Sequence, residues 1–169
     1  MITLVIGGTR SGKSGLAARI AAADQTPVTV VVPTVVGDEN FAQRVRAHQA
    51  RRPASWTTVE CGPDLPAAVR AAAGPVLIDS LGSWIAGTEG FAVDTPALLD
   101  ALRSRSAPTV VVTEEVGFSV HPPTEAGRRF ADELGALNVA VADAAERVLL
   151  VVAGRAIRLE SLDPVLGDR

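Results

Sequence analysis

Lys13 is the only lysine among the chain's 16 Lys and Arg residues, and it lies within Gly7-Gly8-Thr9-Arg10-Ser11-Gly12-Lys13-Ser14. With arginine used everywhere else, an ammonium here marks a place that needs a compact point charge and rejects a planar guanidinium fork. The spacing Gly-x-x-x-x-Gly-Lys-Ser is that of a phosphate-binding loop. Gly7, Gly8 and Gly12 permit backbone angles that let successive N–H groups curl into a nest for phosphate oxygens. A helix beginning near Lys13 aims the positive end of its dipole at the same anion. Lys13 is expected to reach the β- and γ-phosphates of a nucleoside triphosphate, and the Ser14 hydroxyl to ligate Mg²⁺.

A second constellation begins at Val76-Leu77-Ile78-Asp79, an apolar run ending in a carboxylate. An acid there can hold Mg²⁺ through water or orient an attacking hydroxyl, so Asp79 joins Ser14 as a metal candidate. His48 is one of two histidines. Phe41, Val45 and His48 fall at i, i+4 and i+7, on one face of a helix that Asp38 would cap. Spacing alone leaves two readings open: a core histidine ending an apolar stripe, or a nucleophile. Spacing favours the first; Arg44, Arg46, Arg51 and Arg52 around it raise the second, since cations hold an imidazole neutral and stabilise phosphates brought near it. His121, in Val-His-Pro-Pro, reads as a loop residue.

These groups need a scaffold that brings separate segments to one place. Strands are expected over 2–6, Pro27–Val32, Pro75–Asp79, Thr109–Thr113 and Arg147–Val152, with Ala156–Glu160 returning after the Gly154-Arg155 turn as an antiparallel hairpin. Helices are expected over Gly15–Ala23, Asn40–Arg51, Leu65–Ala73, Thr95–Arg105 and Glu125–Ala145. That alternation predicts an α/β fold of the phosphate-loop nucleoside triphosphatase type, a mostly parallel sheet with helices on both faces. Ligands of such sheets bind beyond the carboxyl ends of the strands, where Gly7–Ser14, Pro33–Asp38, Asp79–Trp84 and Thr113–Gly117 all fall.

The 169 residues suit one domain, spanning 1–169, which would bury roughly 70% of its unfolded surface. A net charge of -3 offers no electrostatic case for a nucleic-acid partner. No apolar run reaches membrane-spanning length, and a strand directly at the start leaves no room for a signal peptide. Cys61 is alone, so no disulfide framework exists; the expectation is a cytoplasmic protein with Cys61 a small packed hydrophobe.

Taken together, the residues resemble one family: the bifunctional adenosylcobinamide kinase / adenosylcobinamide-phosphate guanylyltransferases of cobalamin biosynthesis. The loop 7–14 is similar to that family's opening, as are Asp38, Glu39, Arg44, Val45, His48, Arg52 and Trp56 in their spacing. Asp79-Ser80-Leu81 with Trp84, Thr113-Glu114-Glu115-Val116-Gly117, and Arg128, Phe130, Asp132, Gly135, Leu137, Asn138 and Ala142 continue the match along nearly the whole chain. Several positions depart from it: Glu114 stands where the family has Asn, Gly82 where it has a hydroxyl residue, Ala131 where Arg is frequent, Val139 where it has Gln, and Pro33-Thr34-Val35 where it has a Thr-containing run.

The resemblance implies two reactions. A triphosphate, GTP or ATP, phosphorylates the aminopropanol hydroxyl of adenosylcobinamide. GTP then places GMP on a histidine, by position His48, and adenosylcobinamide phosphate collects it. It further implies GTP contacts at Gly7, Gly8, Thr9, Arg10, Ser11, Gly12, Lys13, Ser14, Pro33, Thr34, Val35, Gln49, Ala50, Arg51, Arg52, Glu60 and Asp79, and a homotrimer. The competing enzyme class is a small-molecule kinase on the same fold without a histidine–GMP intermediate. A regulatory GTP switch would need Asn-Lys-x-Asp to read guanine, which a chain whose one lysine is Lys13 does not contain. A nucleic-acid motor would need a basic surface that this composition does not supply.

Overall fold

The computed structural model describes residues 1–23, 26–33, 53–118 and 120–162. The first five strands along the chain are β1 (Ile2–Gly7), β2 (Thr29–Val32), β3 (Thr57–Glu60), β4 (Val76–Asp79) and β5 (Thr109–Glu114). β6 (Arg147–Val152) and β7 (Arg155–Leu159) complete one sheet in the order β3-β2-β4-β5-β1-β6-β7. Every pairing is parallel except β6 with β7. Among the described residues the helices are α1 (Lys13–Ala21), α2 (Leu65–Ala71), α3 (Leu81–Ala86), α4 (Thr95–Arg103) and α5 (Glu125–Ala144), with a 3-10 turn at Glu89–Phe91.

The central strands form because they are β-branched runs buried on both sides, as parallel strands under helices must be. β1 is buried along its whole length, and Val110, Val111 and Val112 of β5 are nearly inaccessible. Alternation divides the core into two layers. Ile2 and Leu4 face α2, α3, α4 and α5, where Leu65, Trp84, Leu98, Leu102, Leu134 and Leu137 pack. Val5 faces α1, where Ala17 and Ala21 meet Val28, Val30, Val110 and Val112.

The expected elements within the described residues are present with shifted ends. α1 starts at Lys13 rather than at residue 15, and its inner face is Ala17 and Ala21, with Leu16 and Ile20 only partly buried. β2 starts at Thr29, two residues after Pro27, because proline has no N–H for the ladder. α2 stops at Ala71, before Gly74 at φ 64, and the Arg105 guanidinium donates to the carbonyls of Val69 (2.8 Å), Ala72 (2.7 Å) and Gly74. The hairpin strand is Arg155–Leu159, one residue earlier than expected. The helix expected over Asn40–Arg51 lies outside the described residues.

Two elements were not expected. β3 is a four-residue edge strand, Thr-Thr-Val-Glu, largely exposed and therefore without an apolar run. α3 is six residues long and includes Gly82, too short for helical periodicity to register.

Candidate active site

Parallel strands deliver their carboxyl ends to one side of the sheet, and the phosphate loop leaves β1 there. Gly7 has no room for a side chain: a Cβ would lie 2.5 Å from the Val151 carbonyl oxygen and 2.8 Å from Ser11 Oγ. Gly12 takes φ 99, a left-handed conformation that disfavours other residues, as the N-cap of α1. Arg10 is also left-handed, at φ 58. The loop closes on itself through Ser11 N–H to the Gly8 carbonyl (3.2 Å) and Leu16 N–H to the Gly12 carbonyl (3.1 Å). The β6–β7 turn braces it from outside, where Gly154 N–H donates to the Ser11 carbonyl at 2.8 Å. This is a nest in front of a helix N-terminus, the arrangement the glycines predict.

Lys13 folds back over that nest. Its Nζ donates to the Gly8 carbonyl at 3.2 Å and stands 3.8 Å from Glu114 Oε1. Glu114 is beside Gly7 in the β1–β5 register, so its side chain rises next to the loop. The Ser80 hydroxyl donates to both Glu114 oxygens, at 3.0 and 3.1 Å, and lies 3.3 Å from Ser83 Oγ. Buried Asn138 on α5 receives the Thr113 hydroxyl at 2.6 Å and donates to the Glu114 carbonyl at 3.0 Å, which fixes the end of β5. Glu115 N–H donates to the Gly7 carbonyl at 3.3 Å.

Of the sequence-predicted residues, Gly7 to Ser14 form one contiguous site. Asp79 ends β4, two strands from β1, on the same side of the sheet. Pro33 follows β2 and is buried. Glu60 ends edge strand β3 and is exposed; four strand spacings separate it from Gly7, about 19 Å. Thr34, Val35, His48, Gln49, Ala50, Arg51 and Arg52 lie outside the described residues, as do Asp38, Phe41 and Val45. His121 is exposed, in the connection before α5. Cys61 is half-buried against the core, and burial is the chief cause that pushes its thiol up to about 11, so it stays protonated at neutral pH.

Ser80 and Asn138 were legible only as parts of a family pattern, and Glu114 only as a departure from it. The contacts of Ser80 and Asn138 with Glu114 span 34 and 24 residues of sequence, so spacing carried no signal of them. The metal candidates suit a hard, hydrated cation. One hydroxyl and one carboxylate, with no group of three His, Cys, Asp or Glu among the described residues, leave coordination to water and phosphate as Mg²⁺ prefers.

The sheet order, the glycine nest and the buried lysine define a phosphate-loop nucleotide-binding α/β protein. Fold comparison agrees: the flagellar accessory protein FlaH from Methanocaldococcus jannaschii superposes with a TM-score of 0.55 over 94% of this chain and 77% of its own, at 15% identity. That likeness concerns the fold alone.

Residues 3–159 match the family model described as cobinamide kinase / cobinamide phosphate guanyltransferase. The chain is 38% identical over 165 residues to the bifunctional adenosylcobalamin biosynthesis protein CobP of Pseudomonas aeruginosa, covering 91% of this chain and 94% of that one. It is 31% identical to the bifunctional adenosylcobalamin biosynthesis protein CobU of Salmonella typhimurium, covering 95% of this chain and all of that one. The chain belongs to the cobinamide kinase / cobinamide phosphate guanyltransferase family, whose members are bifunctional enzymes.

Proposed function

We propose that this protein, read as one nucleotide-binding domain, runs both reactions on one phosphate loop and that the second passes through a covalent histidine–GMP adduct. The observation that carries the reading is the nest at 7–14 with Lys13 buried over it, in a chain of this family. In the kinase step the aminopropanol hydroxyl of adenosylcobinamide attacks the γ-phosphorus of a triphosphate, giving its proton to solvent as the bond to the β-phosphate oxygen breaks and the diphosphate leaves. Lys13 and the loop N–H groups hold the departing diphosphate, and their charges are fixed before the reaction begins. Mg²⁺ held by Ser14 and Asp79 would neutralise phosphate charge.

In the transfer step an imidazole nitrogen of His48 attacks the α-phosphorus of GTP, and pyrophosphate leaves with the electron pair. A phosphate oxygen of adenosylcobinamide phosphate then attacks the same phosphorus, the P–N bond breaks, and adenosylcobinamide-GDP forms. Splitting one displacement into two suits an imidazole, a good nucleophile and a good leaving group. Pro33, Glu60 and the segment around His48 are the nucleotide contacts proposed beyond the loop.

Intact-mass measurement after incubation with GTP tests the adduct. We expect a mass gain of one GMP that is acid-labile, discharged by adenosylcobinamide phosphate and absent in His48→Ala. No gain, or a gain that persists in His48→Ala, defeats the intermediate and leaves a small-molecule kinase. Trimeric assembly belongs to the same reading. Its support is the exposed apolar edge of β7, with Ile157 59% and Leu159 39% accessible, beside Val139 on α5 at 62%. Apolar side chains left exposed beside the two arginines of an edge strand call for cover. A cytoplasmic setting rests on the lone cysteine; no described helix is long and apolar enough to cross a membrane.

A further inference from the structure

The Lys13 side chain is only 10% exposed. An ammonium so withdrawn from water needs a matching charge. Among the described residues the structure supplies one carboxylate, Glu114, whose Oε1 lies 3.8 Å from Nζ, together with the neutral Gly8 carbonyl at 3.2 Å. Neither proposed reaction uses Glu114.

The carboxylate is held in place by three elements. β5 carries it to the carboxyl end of the sheet beside Gly7, and Asn138 of α5 fixes its backbone carbonyl. Ser80, ahead of α3, donates its hydroxyl to both oxygens. α3 also makes the room. A Cβ at Gly82 would run into the Glu114 carboxylate, with the carboxyl carbon 3.1 Å away and Leu134 behind at 3.5 Å. Two of the departures from the family pattern, Glu114 and Gly82, are therefore one feature: the longer acid occupies the space that a side chain at 82 would fill.

We propose that Glu114 is the resting counter-ion of Lys13 and sets the affinity of the loop for polyphosphates. One ammonium cannot serve both the carboxylate and a β,γ-phosphate, so any nucleotide that reaches Lys13 must displace Glu114. At 3.8 Å the pair is beyond hydrogen-bond range, so only an ionic contact is given up. After the exchange the carboxylate keeps its Ser80 hydrogen bonds and stands as a like charge near the terminal phosphate. Both effects oppose binding of GTP, and neither acts on GMP, which lacks the β- and γ-phosphates that Lys13 serves. The inference rests on the reading that the loop binds a nucleoside triphosphate.

The sign of the effect separates this role from a structural one. Removing a structural support weakens binding; removing a competitor strengthens it. Titration calorimetry with GTP and GMP, in Mg²⁺, on the full chain and on Glu114→Gln is the test. The amide preserves shape and the Ser80 contact. We expect GTP to bind about tenfold tighter and GMP to change by less than about twofold. Gly82→Ala should tighten GTP in the same direction by evicting the carboxylate. In combination with Glu114→Gln it should add less than its separate effect, because the two act on one contact. Wild-type protein that binds no GTP overturns the loop reading and this proposal with it. Wild-type binding that is unchanged or weakened by Glu114→Gln overturns the proposal alone.

Discussion

The two faces of the sheet are built from different residues. On one, α2, α3, α4 and α5 pack Leu65, Trp84, Ile85, Leu98, Leu102, Leu134 and Leu137 into a thick layer. On the other, α1 meets the strands through Ala17 and Ala21 over valines. Small residues let a helix lie close to a sheet, and α1 must lie close because its first turn is part of the phosphate nest. The thick layer supplies stability and the thin one sets position. Glu114 shows how the two meet, since its carboxylate stands 3.8 Å from Lys13 at the head of α1 and accepts the hydroxyl of Ser80 ahead of α3 at 3.0 Å.

Four changes would break or sharpen that contrast. Lys13→Arg strikes the thin face where it does chemistry. The guanidinium does not fit a side chain that is nine-tenths buried over Gly8, and triphosphate turnover should fall on the order of 10³-fold in steady-state assays with the fold intact by circular dichroism. Near-normal turnover would contradict the reading of the loop. Leu98→Ala strikes the thick face far from the loop and should cost about 3 kcal/mol in urea unfolding, with nucleotide affinity unmoved.

Ala17→Leu is the reciprocal change on the thin face. Overpacking there should cost about 2 kcal/mol and, unlike the loss at Leu98, weaken GTP binding measurably in the same titrations. If binding is unaffected, close approach of α1 is not what positions the nest. The smallest effect belongs to the end of β1 remote from the site. Glu146 accepts a hydrogen bond from Ile2 N–H, chiefly for which its carboxyl is held below the ordinary range, with the N-terminal charge contributing. A depressed folded value means stability present above the unfolded pKa, about 4.3, and lost as pH falls through the folded one. Thermal melts should find Glu146→Gln slightly less stable at pH 7, with the gap to wild type closing on acidification. A gap that widens in acid would refute that assignment.

Much of this architecture is legible in the sequence because its signals are local. β1, the glycine loop and α1 are contiguous, β4 and β5 are apolar runs, and α5 is long enough to show its period. β3 and α3 escape for the opposite reasons: an exposed edge strand has no apolar run, and six residues do not complete two helical turns. The loop residues of the site were readable from glycine and lysine spacing. The Lys13–Glu114–Ser80 contacts were not, since chain distance hides what the strand order 4-5-1 brings together. Gly82 is the sharpest case, a glycine whose reason lies 32 residues away.

The final hairpin meets the glycine loop at both ends: the Val151 carbonyl crowds Gly7, and an amide in the turn, that of Gly154, grips Ser11, so the hairpin is a clamp as well as a border. Lengthening that turn by a residue would slacken the cradle without altering any group that meets the nucleotide.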